Sequence, residues 1–177
     1  METATTKSLS EKEAIAKFQA LVNEVSICMF TTIDDEHRIM SRPMLTVNID
    51  DDGNAWFFTN EYSEKINETS KDNTVNLIYS HPTKNIYIHV TGSCRVIIDR
   101  KKMEELWNSH MKSWFPDGLD DPKICLLKVT TENAYFWNNE SSKMNHFLSM
   151  ISSIATGDQY KETEKGKLDL AAKQPEM

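Results

Sequence analysis

Residues 42 to 65 read RPMLTVNIDDDGNAWFFTNEYSEK, and this stretch decides how the chain folds. It opens inside a period-2 strand over 39–49. Ile39, Pro43, Leu45, Val47 and Ile49 share one face; Met40, Arg42, Met44, Thr46 and Asn48 share the other. Asp50-Asp51-Asp52-Gly53 follows as a hairpin turn. It lacks the downstream glutamate that a calcium loop requires, so the turn reading stands. A second strand over 55–59 then runs into a helix over 60–72, with Asn60 as its N-cap. Proline has no N–H to give a ladder, so Pro43 predicts an edge or a bulge at that point. Arg42, Ser63, Lys65 and the free N–H groups of the helix start suit a flat aromatic ligand ending in a phosphate. The other reading leaves these three as ordinary surface side chains, and Glu61 and Glu64 would compete with an anion there.

The chain around this stretch has 177 residues, about one domain. A net charge of −7 and a pI near 5.2 argue against nucleic-acid and anionic membrane partners. No apolar run approaches the ~20 residues of a membrane span, and no signal-peptide pattern opens the sequence, so a cytoplasmic location is expected. Cys28, Cys94 and Cys125 each sit in an apolar strand-like run, which predicts buried free thiols in a reducing compartment. The glycosylation sequons at Asn67 and Asn139 are then inert.

Upstream, Ser10-Glu11-Lys12-Glu13 is a capping box opening a helix with Ala14, Ile15, Phe18, Leu21, Val22 and Val25 at helical spacing. Residues 25–33 form a nearly continuous apolar run, predicted as a strand buried on both faces. Downstream, residues 74–79 read as a short strand and His81-Pro82 as a turn. A longer strand follows over 85–98, with Ile86, Ile88 and Val90 opposed to Tyr87, His89 and Thr91. Gly92 inside it marks a bulge or a close backbone approach. Asp99 caps a helix whose stripe is Met103, Leu106, Trp107, His110 and Met111, which makes His110 a packed residue. Residues 124–129 and 134–137 are predicted to close the β part as a hairpin. The domain is expected over 10–140, after a flexible 1–9. An amphipathic helix over 141–156 and a disordered, charged 157–177 complete the chain. This order predicts an α+β, mainly β, antiparallel barrel, closed or partly open, with flanking helices.

No two of the five histidines show a metal-ligand spacing, so no metal is expected. No nucleophile elbow, Walker loop or Gly-rich dinucleotide fingerprint is present either. His89 shares a strand face with Tyr87 and lines any cleft there, with nothing else marking it as a base.

Taken in order, Ser41-Arg42-Pro43-Met44, Trp56-Phe57-Phe58-Thr59 with Ser63 and Lys65, Val90-Thr91-Gly92, Asp99-Arg100 and Leu106-Trp107 make a pattern. Trp114-Phe115-Pro116-Asp117-Gly118, Asp120-Asp121-Pro122 and Ala134-Tyr135-Phe136-Trp137 extend it. Together they resemble the pyridoxamine 5′-phosphate oxidase-like flavin-binding split barrels, most closely the general stress protein 26 group. The resemblance implies a homodimer with FMN (or FAD) at the subunit interface. Arg42, Pro43, Met44 and Leu45 would line the ring and help bind the phosphate, Phe58 and Thr59 would follow the ribityl chain, and Ser63 and Lys65 would hold the phosphate. Tyr87 falls where the oxidases have a ring-contacting glutamine. Trp114, Phe115 and Trp137 would approach from the partner or the rim. Two departures stand out: Glu64 replaces a basic residue, and the substrate-binding arginine-histidine motif after Trp137 is missing. The oxidase reaction itself is therefore not expected. The resemblance leaves three functions: an FMN-dependent oxidoreductase, a non-enzymatic flavin-binding stress protein, and a module that has lost its ligand.

Overall fold

The computed structural model describes residues 11–34, 36–60, 73–137 and, for the backbone, 165–169. The helices expected over 60–72 and 141–156 and the expected flexible residues 1–9 lie outside them. Helix α1 (Glu11–Glu24) forms where the periodicity placed it and buries Ala14, Ile15, Phe18, Leu21 and Val22. Seven antiparallel strands follow: β1 (Ile27–Ile33), β2 (Ile39–Ile49), β3 (Ala55–Thr59), β4 (Thr74–His81), β5 (Ile86–Ile97), β6 (Cys125–Trp137) and β7 (Lys165–Asp169). Their order is β3-β2-β1-β4-β5-β6-β7, and β3 also pairs with β6, so β1 to β6 close into a barrel. β6 pairs with β3 only over 125–129 and with β7 over 133–137. The barrel is therefore shut at one end and parted at the other, an antiparallel split barrel.

One buried cluster joins the stripe of α1 to the barrel interior, where Phe30 and Phe57 meet edge to face at 5.4 Å. Gln19 pins the helix by donating to the Ile49 carbonyl at 3.1 Å. A second cluster lies outside the barrel wall. There Trp56, Phe58 and Leu126 pack beneath helix α2 (Arg100–Leu106) and the 3-10 turn Ser109–Ser113. Asp99 caps α2 as expected, accepting from the Lys102 N–H at 3.1 Å. Trp107 then turns extended (ψ 135°) and ends the helix, so the phase is lost. Met111 is buried and His110 is exposed, against the packed position its spacing predicted.

Four further expectations are corrected, each for a non-local reason. The β2 register jumps between Thr46 and Asn48 as it pairs with β3. That bulge carries Ile49 to the barrel interior beside Met44, while Leu45 and Val47 pack on the outer cluster. β1 is not buried on both faces: Cys28 and Phe30 point inward, but Ile27 (51%), Met29 (41%) and Ile33 (58%) are exposed, because no described element covers the outer wall. Residues 124–137 form no hairpin, since the polar residues 130–133 bulge against Thr91 and Gly92 and β6 runs on as one strand. Five residues of the expected disordered tail form β7, which caps the otherwise open edge of β6.

The β2–β3 turn is built around Asp50. Its carboxylate accepts from the N–H groups of Asp52 and Asn54, the Asn54 amide and the Trp56 indole, the last at 2.8 Å. Gly53 takes the left-handed φ of 77° that closes the turn. Burial alone would push this carboxyl up, but the donors from Trp56, Asn54 and Asp52 outweigh it and hold it below the usual range. A folded-state value below the unfolded one adds stability at neutral pH that fades as pH falls below about 4. Urea midpoints for the wild type and Asp50→Asn are thus expected to differ at pH 7 and converge toward pH 2.5. A gap that stays constant over that range would contradict the assignment.

Candidate functional site

The Thr46 N–H donates to the Ser26 carbonyl at 2.8 Å, which sets the phase of the β1–β2 ladder. Bonded residues alternate, so Arg42 and Met44 turn their backbone groups toward β1 and Pro43 faces the other way. On that other side β3 pairs only from Thr46 onward. Among the described residues Pro43 thus stands on a bare strand edge, as its missing N–H requires, and no described element covers β2 there. Continuing the β2–β3 register sets Thr59 across from Met44, at the point where β3 leaves β2.

The stretch 42–45 divides between the two sides of the wall. Met44 is buried in the barrel and Leu45 packs on the outer cluster, while Pro43 is exposed. Arg42 is half-buried, its guanidinium 5.9 Å from the Phe30 ring. Its charge reaches Cys94: burial pushes that thiol up to about 12 although Arg42 pulls the other way. Phe58 is buried against Trp107 and Phe115, at 5.5 and 6.2 Å, and Thr59 is buried at the end of β3. The Asn60 amide donates to Asp121 at 3.3 Å. Ser63 and Lys65 lie outside the described residues.

The remaining expected contacts fall elsewhere. Tyr87 and Trp137 stand directly opposite each other on β5 and β6, both half-buried. The next pair along, His89 and Tyr135, stacks at 6.3 Å. The order β2-β1-β4-β5 separates Tyr87 from Pro43 by three strand spacings, about 14 Å along the sheet. Trp114 is exposed, whereas Phe115 is closed inside the chain's own outer cluster. Arg42–Leu45, Phe58 and Thr59 therefore gather at one place, Tyr87 and Trp137 at another.

Between these two places the wall is apolar, and none of the described residues covers it. Met29 faces Pro43 on one side and Ile78 on the other, and Ile27, Ile33 and Ile39 are exposed on the same face. A shallow groove of about 430 Å³ runs past Ile27, Met29 and Ile78 to Ser80 and His81. This exposed face escapes sequence reasoning, because an apolar strand reads alike whether its cover comes from its own chain or another. Among the described residues, no group of three or more His, Cys, Asp or Glu could hold a metal. No described helix is long and apolar enough to cross a membrane.

Comparison with known proteins matches this architecture. The chain is 24% identical over 139 residues to protein bli-3 of Neurospora crassa, covering 73% of this chain and 66% of that relative, just under two thirds of its length. A solved general stress FMN/FAD binding protein from Xanthomonas citri is 28% identical with a TM-score of 0.59, over 74% of this chain and 92% of that one. A solved Clostridium acetobutylicum protein, described as related to general stress protein 26 and of the pyridoxinephosphate oxidase family, is 22% identical. It has a TM-score of 0.62 over 73% of this chain and 91% of its own. The family model described as pyridoxamine 5′-phosphate oxidase like matches residues 13–161. The chain belongs to the pyridoxamine 5′-phosphate oxidase-like family.

Proposed function

We propose that the protein binds FMN between two copies of the chain and serves as a flavin-dependent oxidoreductase on a small molecule. The observation that carries this reading is the exposed apolar wall lying between the β2 edge at Pro43 and the Tyr87–Trp137 pair. Soluble monomers rarely leave such a patch bare. A two-fold pairing would cover Ile27, Met29, Ile33, Ile39 and Ile78 with the same residues of a second copy. It would also bring the Tyr87–Trp137 pair of one chain to the open β2 edge of the other, which a single chain keeps about 14 Å away. The flavin named for the Xanthomonas citri relative fits the groups present: a bare strand edge, half-buried aromatic rings, and a cation backed by an aromatic face.

In this reading Arg42, Ser63 and Lys65 bind the phosphate, Thr59 lies along the ribityl chain, and the backbone at Pro43 and Leu45 meets the ring. The bound flavin supplies electron transfer. The chain's own residues hold it in place and, with the second copy, exclude water from its ring. Glu64 weakens the phosphate site without abolishing it. Cys28 fits a reducing, cytoplasmic setting, since burial pushes its thiol up to about 12 and leaves it unreactive.

The test is an FMN titration followed by flavin fluorescence, for the wild type and for Arg42→Ala with Lys65→Ala. Two charge-assisted contacts are worth about 3–5 kcal/mol together, so the double variant is expected to bind at least ~100-fold more weakly. Affinity within threefold of the wild type would refute the phosphate assignment.

A further inference from the structure

Tyr87, His89, Tyr135 and Trp137 form a two-by-two aromatic platform on the outer wall of β5 and β6. Since the Trp137 indole nitrogen only donates, among these four side chains only His89 brings a ring nitrogen that can accept a hydrogen bond. Its Nε2 lies 2.9 Å from Asn76 Oδ1, and a carbonyl oxygen only accepts, so Nε2 carries the proton. In the neutral ring Nδ1 is then an acceptor, and no hydrogen bond to it is found among the described residues. Stacking on Tyr135, with 19° between the ring planes, holds the imidazole in this orientation. A fixed, unused acceptor in a half-buried aromatic platform selects a planar ring that carries an N–H.

We propose that His89 is a ring-recognition residue whose Nδ1 accepts the imide N–H of the flavin, with Asn76 and Tyr135 as the residues that position it. This rests on the two-copy flavin reading, in which the platform of one chain meets the ring held at the β2 edge of the other. His89 then reads the ring, as Arg42 and Lys65 read the phosphate, and an analogue without the N–H leaves the imidazole unmatched.

The experiment compares FMN with its N3-methyl analogue, by fluorescence titration against the wild type, His89→Leu and His89→Gln. Methylation is expected to weaken wild-type binding about tenfold. His89→Leu should bind FMN about tenfold more weakly and treat the two ligands alike. His89→Gln, which keeps an acceptor, should retain part of the preference, and it carries the test if the leucine variant does not fold. A packing role alone would change affinity for both ligands equally and leave the ratio untouched. FMN bound by the wild type with no preference, or an undiminished preference in His89→Leu, overturns the inference and leaves the flavin reading standing. A wild type that binds neither ligand overturns both.

Discussion

Gly92→Ala is expected to destabilise the protein by about 3 kcal/mol, near the upper end for a single substitution. A Cβ built at this position lies 2.3 Å from the Thr130 carbonyl oxygen and 3.1 Å from both its carbon and the Val129 Cγ1. The nearest obstacle is backbone, so no rotamer change relieves it. Gly92 faces Thr131 where the β5–β6 register shifts, and Ser93 pairs with Thr130 beside it. Moving either strand would disturb the longest pairing in the barrel. Gly118 provides the contrast. It adopts a φ of +62°, but the nearest atom to its added Cβ is 3.8 Å away on Trp107, so Gly118→Ala should cost only the backbone strain of about 1–2 kcal/mol. Urea denaturation of the two variants separates steric from conformational cost. Equal midpoints for Gly92→Ala and the wild type would contradict the close approach.

Met29→Glu combined with Ile78→Glu is expected to abolish both self-association and flavin binding while leaving the fold in place. The two side chains oppose each other across β1 and β4 and are 41% and 46% exposed. In an isolated chain two carboxylates there stay hydrated, and their mutual repulsion costs about 1 kcal/mol or less. Across a two-fold interface four carboxylates would lose water with no cationic partner, at several kcal/mol per buried charge. That predicts association weakened by at least ~1,000-fold, read by sedimentation velocity alongside circular dichroism to verify the fold. A variant that assembles and binds FMN like the wild type would show that this wall is not the interface.

What could be read from the sequence follows from how local each signal is. The stripe of α1, the Asp99 cap and the Asp50–Gly53 turn depend on spacing within one element, and all three appear as expected. Gly92 was identifiable because a lone glycine in a β-branched strand has few other uses, and it proves both a bulge and a close approach. Pro43 likewise announced the bare edge. The placement of Ile49 was hidden, because the Thr46–Asn48 bulge comes from pairing with β3 and leaves no mark on hydrophobicity. β7 was hidden for a related reason: a charged segment such as Lys-Gly-Lys-Leu-Asp becomes a strand only when a partner edge offers itself. For the site, the sequence marked Arg42, Tyr87 and Trp137 but not their separation. That comes from the strand order β2-β1-β4-β5, a matter of long-range pairing.

Native mass spectrometry of the full chain with added FMN tests the central claim most directly. The account predicts a species of two chains carrying two FMN molecules, with no flavin on the single chain. A single chain that holds FMN by itself, or a protein that takes up no FMN in any assembly, would contradict it.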